Sequence, residues 1–508
     1  MEVVLDGKSL KIEDVVAVGR GRAKVQISPA ALENIKKCRN FIEDMVARDV
    51  PMYGITTGIG EFARIPISKE QGEELQKRIV YSHAAGFGDH QRVEVVRGAM
   101  LIRANVLCKG HSGVRPVVPQ TLVEMLNKGV TPVVYEKGSV GTSGDLSPLS
   151  HVAEVVIGEG KAYYKGEVMS GKEAMERAGI TPIKLSYKEG LGLINGPQMM
   201  TAGAAILVHD SEKFMKTAML ASAMTLDALK SVDKAFDPRL HAARGYEGQM
   251  KVAENLRNLF QGSEIMADKS GKVQDGYSLR CTPQVLGPTL DLLKWARKQI
   301  SIELNAGSDN PLFFPDDDIY LAGGNFHGQG VGLVVDYLAI AMSEVGDLSE
   351  RHTNRLLNPV LSGLPDFLVE GKGLNSGLMV AQYTAAALVS ENKVLSHPAS
   401  VDSISVSADQ EDHVSMGPVA VRKMEEILRN LHGIIAIEML CASQAMDFRK
   451  PHKPGKGTGA AYSVIRQHVP FMADDRPLYP DIEKVTGLVR SWELSEAAEQ
   501  AIGDIGLL

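Results

Sequence analysis

Five segments of this chain repeat apolar residues at helical spacing well beyond the usual three or four turns: roughly residues 199 to 230, 284 to 307, 327 to 356, 374 to 394 and 416 to 447. Such a period lays an apolar stripe along each segment, and long stripes are buried against one another. A helical bundle is therefore expected. Nearer the N-terminus, Ser28-Pro29 precedes ALENIKKCRNFIEDMVARD and Ser68 precedes KEQGEELQKRIVYSHAAG, each hydroxyl standing where it can cap a periodic run. Strand character is confined to the first few residues, to VVAVGRGRAKVQIS, and to GKAYYKGEVMSG near residue 165, which reads as a small hairpin. The expected fold class is mainly α: a long-helix bundle with a smaller mixed α/β N-terminal part. The corresponding division is an N-terminal domain over residues 1–200 and a helical-bundle domain over residues 201–508.

Charge and cysteine content narrow the function. Across 508 residues, 55 Lys plus Arg stand against 62 Asp plus Glu, a formal charge of −7 with no basic block, which disfavours nucleic acid as a partner. The opening MEVVLDGKSLKIEDVV alternates apolar and charged residues, and no later run reaches the length of a bilayer span, so neither export nor membrane insertion is expected. The four cysteines, Cys38, Cys108, Cys281 and Cys441, are far apart and form no CxxC pair; a reducing cytoplasm suits them. Several chemistries are missing their signatures. There is no G-x-x-x-x-G-K-[ST], no G-x-S-x-G around Ser112 or Ser143 and no H-E-x-x-H, and Gly455, Gly457 and Gly459 do not follow a strand within a βαβ unit.

Residues 138 to 151 read GSVGTSGDLSPLSH, with three glycines in seven residues before Asp145 and Pro148. One reading is a tight loop that caps a helix or holds an anion at its N-terminus. The other is chemical. If the Gly144 nitrogen attacks the Thr142 carbonyl carbon and two waters are lost, the second from the Ser143 hydroxymethyl, the product is a 4-methylidene-imidazol-5-one (MIO), an electrophile made from the chain itself. Glycine lacks the Cβ that would block so close a backbone approach, and serine carries a β-hydroxyl that can be eliminated.

In this segment the sequence resembles the aromatic amino acid ammonia-lyase family, whose members carry an Ala-Ser-Gly or Thr-Ser-Gly triad within GSVGxSGDLxPLxH. The likeness continues through YGITTGIG at 53 to 60, SHAAG at 82 to 86, GEGKAYYKGEVMSG near 158 to 171, KEGLGLING at 188 to 196, QDGYSLRCTPQ at 274 to 284, SDNPL at 308 to 312, GGNFHGQ at 323 to 329 and QEDHVSMG at 410 to 417. It implies an ammonia-lyase/fumarase-like architecture, the self-formed MIO with no external cofactor, and a homotetramer with shared active sites. Within the family the sequence is most similar to the branch that removes ammonia from L-histidine to give trans-urocanate. The alternative is a tyrosine or phenylalanine ammonia-lyase or an MIO-dependent 2,3-aminomutase. Thr142 in place of the usual Ala, Thr56 for Asn, Pro197 for Thr and Gly328-Gln329 for Ala-Glu are departures from the histidine branch.

The resemblance also implies roles. Tyr53 would remove the β-proton, which asks for a phenolate from a group with a free pKa of about 10. Asn195 and Tyr277 would orient the amine beside the group made from Thr142, Ser143 and Gly144. Arg280 would grip the substrate carboxylate with its planar fork, and Gln274 and Phe326 would line the same pocket. His83, in the Ser82-His83 pair, and the Gln410-Glu411 pair would select the ring, since a carboxylate accepts an imidazole N–H and would be left unpaired by a phenyl group. From the residues alone, Glu411 also reads as a carboxylate near a helix start, or less readily as a metal ligand with His413; no metal is expected.

Overall fold

The computed structural model describes residues 1–268 and 271–508. The chain forms two compact units, neither of them contiguous: one comprises Met1–His209, Arg297–Asp336 and Pro398–Arg422, the other Asp210–Ala296, Tyr337–His397 and Lys423–Leu508. The expected division at residue 200 followed chain order, whereas the helices Gln198–Ala228, Thr282–Glu303, Gln329–Leu357 and Gly417–Asp447 each contribute residues to both units.

The predominantly helical character expected from the periodicity is present. The five long segments fold as Gln198–Ala228, Thr282–Glu303, Gln329–Leu357, Met379–Leu395 and Gly417–Asp447. Pro288 sits inside Thr282–Glu303, a position that forfeits one backbone hydrogen bond. No helix among the described residues is long and apolar enough to cross a membrane.

In the first unit, the Pro29–Ala47 helix starts where Ser28-Pro29 marks it, with the Ser28 hydroxyl accepting from the Ala31 amide at 3.2 Å. The second expected cap is displaced: a 3₁₀ turn, Lys69–Gln71, intervenes, and the helix Gly72–His83 follows Gln71 with no side-chain cap. VVAVGRGRAKVQIS is half corrected. Ile12–Gly19 is a helix, because Ile12, Val15, Val16 and Val18 bury one face and pack on the Val93–Cys108 helix, so tertiary burial overrides the β preference of valine. Only Lys24–Ile27 is a strand, and it pairs in parallel with Glu2–Leu5. The expected hairpin forms as Lys161–Tyr164 against Glu167–Ser170, with Thr131–Pro132 added at its edge. Two further ladders, Phe87–His90 with Tyr135–Lys137 and Leu312–Phe314 with Ile319–Leu321, were not expected. Cys38, Ile42, Met45, Val46, Met52, Ile55 and Phe313 make a buried cluster that ties the loop around residue 53 to the Pro29–Ala47 helix.

The second unit is helical. Polar contacts cross its buried interior: the Thr225 hydroxyl donates to Glu438 at 2.8 Å, and Asp227 accepts from Ser263, Thr458 and the Gly455 amide.

Candidate active site

The loop that carries Thr142, Ser143 and Gly144 is held in left-handed backbone. Gly141, Ser143 and Gly144 have φ of +86°, +44° and +84°, and at Ser143, which has a Cβ, that conformation costs about 1–2 kcal/mol. A side chain at Gly144 has no room: a Cβ there would lie 2.2 Å from the Gly196 carbonyl carbon and 2.5 Å from the Pro197 nitrogen. The close approach is fixed by the Gly196 amide donating to the Ser143 carbonyl and the Asp145 amide donating to the Gly196 carbonyl, both at 2.9 Å. The Ser139 hydroxyl adds a bond to the Gly144 carbonyl at 3.1 Å. The Gly144 amide has no acceptor among the described residues, which leaves its nitrogen uncommitted. Asp145, the N-cap position of the Leu146–Val156 helix, accepts from the Met200 amide at 2.9 Å. Burial pushes its carboxyl up to about 7 against the pull of the Met200 and Met199 amides.

Ser143 opens into a cavity of about 780 Å³ whose lining includes Tyr53, His83, Asn195, Phe326, Gln410 and Glu411. The Ser143 hydroxyl donates to Oε1 of Glu411 at 3.0 Å. Glu411 is brought there by a turn in which Ser407, Ala408 and Asp409 all have positive φ, closed by paired bonds between Val406 and Glu411. Three consecutive non-glycine residues in that region are costly and need the surrounding structure to hold them.

Tyr53 is half-buried, and its hydroxyl oxygen accepts from the Gly60 amide at 2.9 Å. Burial raises the pKa of the phenol, the Gly60 amide opposes this, and the Glu411 charge raises it further. His83 ends the Gly72–His83 helix; its Nδ1 faces the Ile79 carbonyl at 2.8 Å, so that nitrogen carries the proton and Nε2 is left as an acceptor. Burial lowers the ring's pKa despite the Ile79 carbonyl and Glu411, favouring neutral imidazole. Asn195 follows the Glu189–Ile194 helix, donates from Nδ2 to the Asn310 carbonyl at 2.9 Å, and keeps Oδ1 buried with no partner among the described residues. An orphaned acceptor of this kind calls for a donor. Its backbone is set by a buried cation: Arg103 donates to the Asn195 carbonyl at 2.7 Å, to Gly192 at 2.8 Å and to Ser308 at 3.0 Å. Asp309 holds Arg103 and Lys188, at 3.2 and 2.9 Å, all three fully buried.

Gln274, Tyr277 and Arg280 belong to the second unit and are not in this lining. They form a group of their own on the Tyr277–Arg280 turn. Arg280 donates to the Gln274 side chain, and its guanidinium lies 4.8 Å from the centre of the Tyr277 ring, which is 74% exposed. The side chain of Thr142 is not among the lining residues either. Arg103 had no local signal in the sequence, because its importance comes from partners far along the chain; Gly60, Lys188 and the pair Asp309 and Asn310 fall within the YGITTGIG, KEGLGLING and SDNPL motifs. Among the described residues, no group of three or more His, Cys, Asp or Glu is placed to hold a metal ion.

The family model described as aromatic amino acid lyase matches residues 10–467. The chain is 50% identical over 500 residues to a histidine ammonia-lyase of Caldanaerobacter subterraneus subsp. tengcongensis, with 98% of each covered. Among solved structures it is similar to the histidine ammonia-lyase from Trypanosoma cruzi, with a TM-score of 0.92 and 40% identity over 99% of this chain and 96% of that one. It is similar also to the tyrosine aminomutase from Streptomyces globisporus, with a TM-score of 0.94 and 37% identity over 100% of both. The chain belongs to the aromatic amino acid lyase family.

Proposed function

We propose that this protein is a carbon–nitrogen lyase that eliminates ammonia from L-histidine to give trans-urocanate. The observation that carries the reading is the meeting, in one cavity, of the Ser143 hydroxyl with the Glu411 carboxylate at 3.0 Å, beside Tyr53, His83 and Asn195. The residues fit a self-formed MIO: Gly144 stands where any side chain would collide, its nitrogen is uncommitted, and Ser143 points its hydroxyl into the cavity. Made from Thr142, Ser143 and Gly144, that group supplies an electrophilic methylene that turns the substrate amine into a better leaving group.

The side chains of this chain supply the rest. Glu411 accepts an imidazole N–H of the substrate, and Nε2 of His83 offers a second acceptor in the same cavity. Donation from a substrate ring offsets the Glu411 charge and so removes one of the influences that keep the Tyr53 phenol protonated. Tyr53, with the Gly60 amide already directed at its oxygen, takes the β-proton. The unpartnered Oδ1 of Asn195 accepts from the substrate amine, and Gln410 and Phe326 bound the ring pocket. Arg280 grips the carboxylate, with Gln274 and Tyr277 beside it. The exposed position of this last group fits a homotetramer in which active sites are completed by residues of other copies, located in the cytoplasm, where four cysteines free of disulfides stay reduced.

A second reading, a tyrosine or phenylalanine lyase or a 2,3-aminomutase, is favoured by the 37% identity to a tyrosine aminomutase and by Thr142 and Gly328-Gln329. An aminomutase would return the amine to the β-carbon after the same first step. Offering L-histidine, L-tyrosine and L-phenylalanine separately decides between them. Urocanate, read by its ultraviolet absorption, is expected from histidine. Its absence, or a β-amino acid recovered by chromatography, would overturn the proposal.

A further inference from the structure

Ser278 lies inside the Tyr277–Arg280 turn, between the two side chains proposed to meet the substrate, and its carbonyl is held by a buried pair. Nε2 of His352 stands 2.7 Å from the Ser278 carbonyl oxygen, and Nδ1 of the same ring stands 2.8 Å from Oε1 of Glu438. His352, Glu438, Thr225 and Thr282 are all fully buried. A carbonyl only accepts, so Nε2 carries a proton; a further proton must lie between Nδ1 and the carboxylate, whichever of the two holds it. The ring is therefore fixed from both sides. Thr225 anchors Glu438 with a bond of 2.8 Å, and the Thr282 hydroxyl reaches the carbonyls of Leu279 at 2.9 Å and Ser278 at 3.1 Å.

The other end of the turn is held as well. The Asp275 carboxylate accepts from the Val232 amide at 2.6 Å. The Arg355 guanidinium lies so close to Gly276 that a Cβ there would be 2.3 Å from one of its nitrogens. A four-residue turn that projects an exposed tyrosine has little packing of its own, so its supports come from beneath.

We propose that His352 and Glu438 are positioning residues: by pinning the Ser278 carbonyl they fix the angle at which Tyr277 and Arg280 are presented to the substrate. The inference rests on the substrate-binding role proposed for those two residues. A misplacement of about 1 Å at such a site can cost about 10²-fold in rate.

Three forms of the full-length protein test this. Glu438→Gln lets a neutral ring keep both of its bonds. His352→Gln in that background keeps an N–H for the Ser278 carbonyl, and His352→Leu in the same background removes it without leaving a buried charge unpaired. The leucine form should lose about 10²-fold in kcat/KM for histidine and show faster amide exchange over residues 274–282. The glutamine form should recover most of both, and intact mass should show Ser143 equally cyclised in all three. Unchanged exchange and kinetics in the leucine form would overturn the proposal, as would a loss that His352→Gln does not restore. If exchange rises while kinetics stay wild-type, Arg280→Lys separates the causes: unchanged kinetics there too overturn the substrate-binding role of the turn, whereas impaired kinetics overturn the pinning alone. Should the leucine form fail to fold, His352→Met in the same background, whose flexible side chain fills the space without an N–H, carries the same comparison, with a raised KM expected and an unchanged KM contradicting the proposal.

Discussion

The Ser143 hydroxyl donates a 3.0 Å hydrogen bond to Oε1 of Glu411, a residue 268 positions further along the chain. One carboxylate thus touches the side chain from which the electrophile would be made and also lines the space where the substrate ring would lie. The two uses can be separated. Glu411→Gln keeps an acceptor for Ser143 and removes the charge. Histidine turnover should fall by about 10- to 100-fold in kcat/KM, the worth of a charge-assisted hydrogen bond, while intact mass shows the two-water loss preserved. An equal loss of cyclisation and turnover would make Glu411 a requirement of ring closure and not of substrate choice.

Gly144 is predicted to be irreplaceable. In Gly144→Ala the new methyl would lie 2.2 Å from the Gly196 carbonyl carbon at a backbone φ of +84°, so the turn must open and the nitrogen withdraw from the Thr142 carbonyl. The variant should emerge at full encoded mass with no activity and a lowered Tm. A dehydrated, active Gly144→Ala would show that the close approach to Gly196 is not what the chemistry needs.

Tyr53→Phe removes the proposed base and leaves the ring-forming turn alone. Loss of a general base typically costs about 10²–10⁴-fold, so kcat should fall by that order while mass reports normal cyclisation. A variant with wild-type kcat would move the proton transfer to another group in the cavity.

Asp145 gives a pH prediction for stability. Its folded-state pKa is raised to about 7 from an ordinary 3.8, with burial the largest cause, so between those values the folded state binds more protons than the unfolded chain. Its contribution to stability is full below about pH 4 and is lost as pH rises to about 7. Tm measured from pH 4 to pH 8 should therefore decline more steeply for the wild type than for Asp145→Asn. Parallel curves would mean that Asp145 ionises normally.

Much of the helical framework was legible in the sequence because burial on one face repeats with the helix period. Gln198–Ala228 and Gly417–Asp447 lie within a few residues of the segments read from it. Ile12–Gly19 was misread because a run of valines carries a strand preference that only its packing on Val93–Cys108 reverses. The two-residue Thr131–Pro132 strand and the Leu312–Phe314 ladder are too short to hold a period of their own. At the site, the tight turn at Thr142-Ser143-Gly144 could be read because the glycines that permit it are local. What stayed hidden was long-range: the Arg103 bonds that set the Asn195 backbone, and the His352–Glu438 pair beneath Ser278, join residues whose neighbours in sequence say nothing of each other.

Intact-protein mass spectrometry of the untreated wild type tests the self-made electrophile most directly. The Ser143–Gly144 geometry predicts a chain lighter than its encoded mass by two water molecules, with the loss confined to the peptide that contains Thr142, Ser143 and Gly144. A protein at full encoded mass that nevertheless releases ammonia from histidine would contradict it.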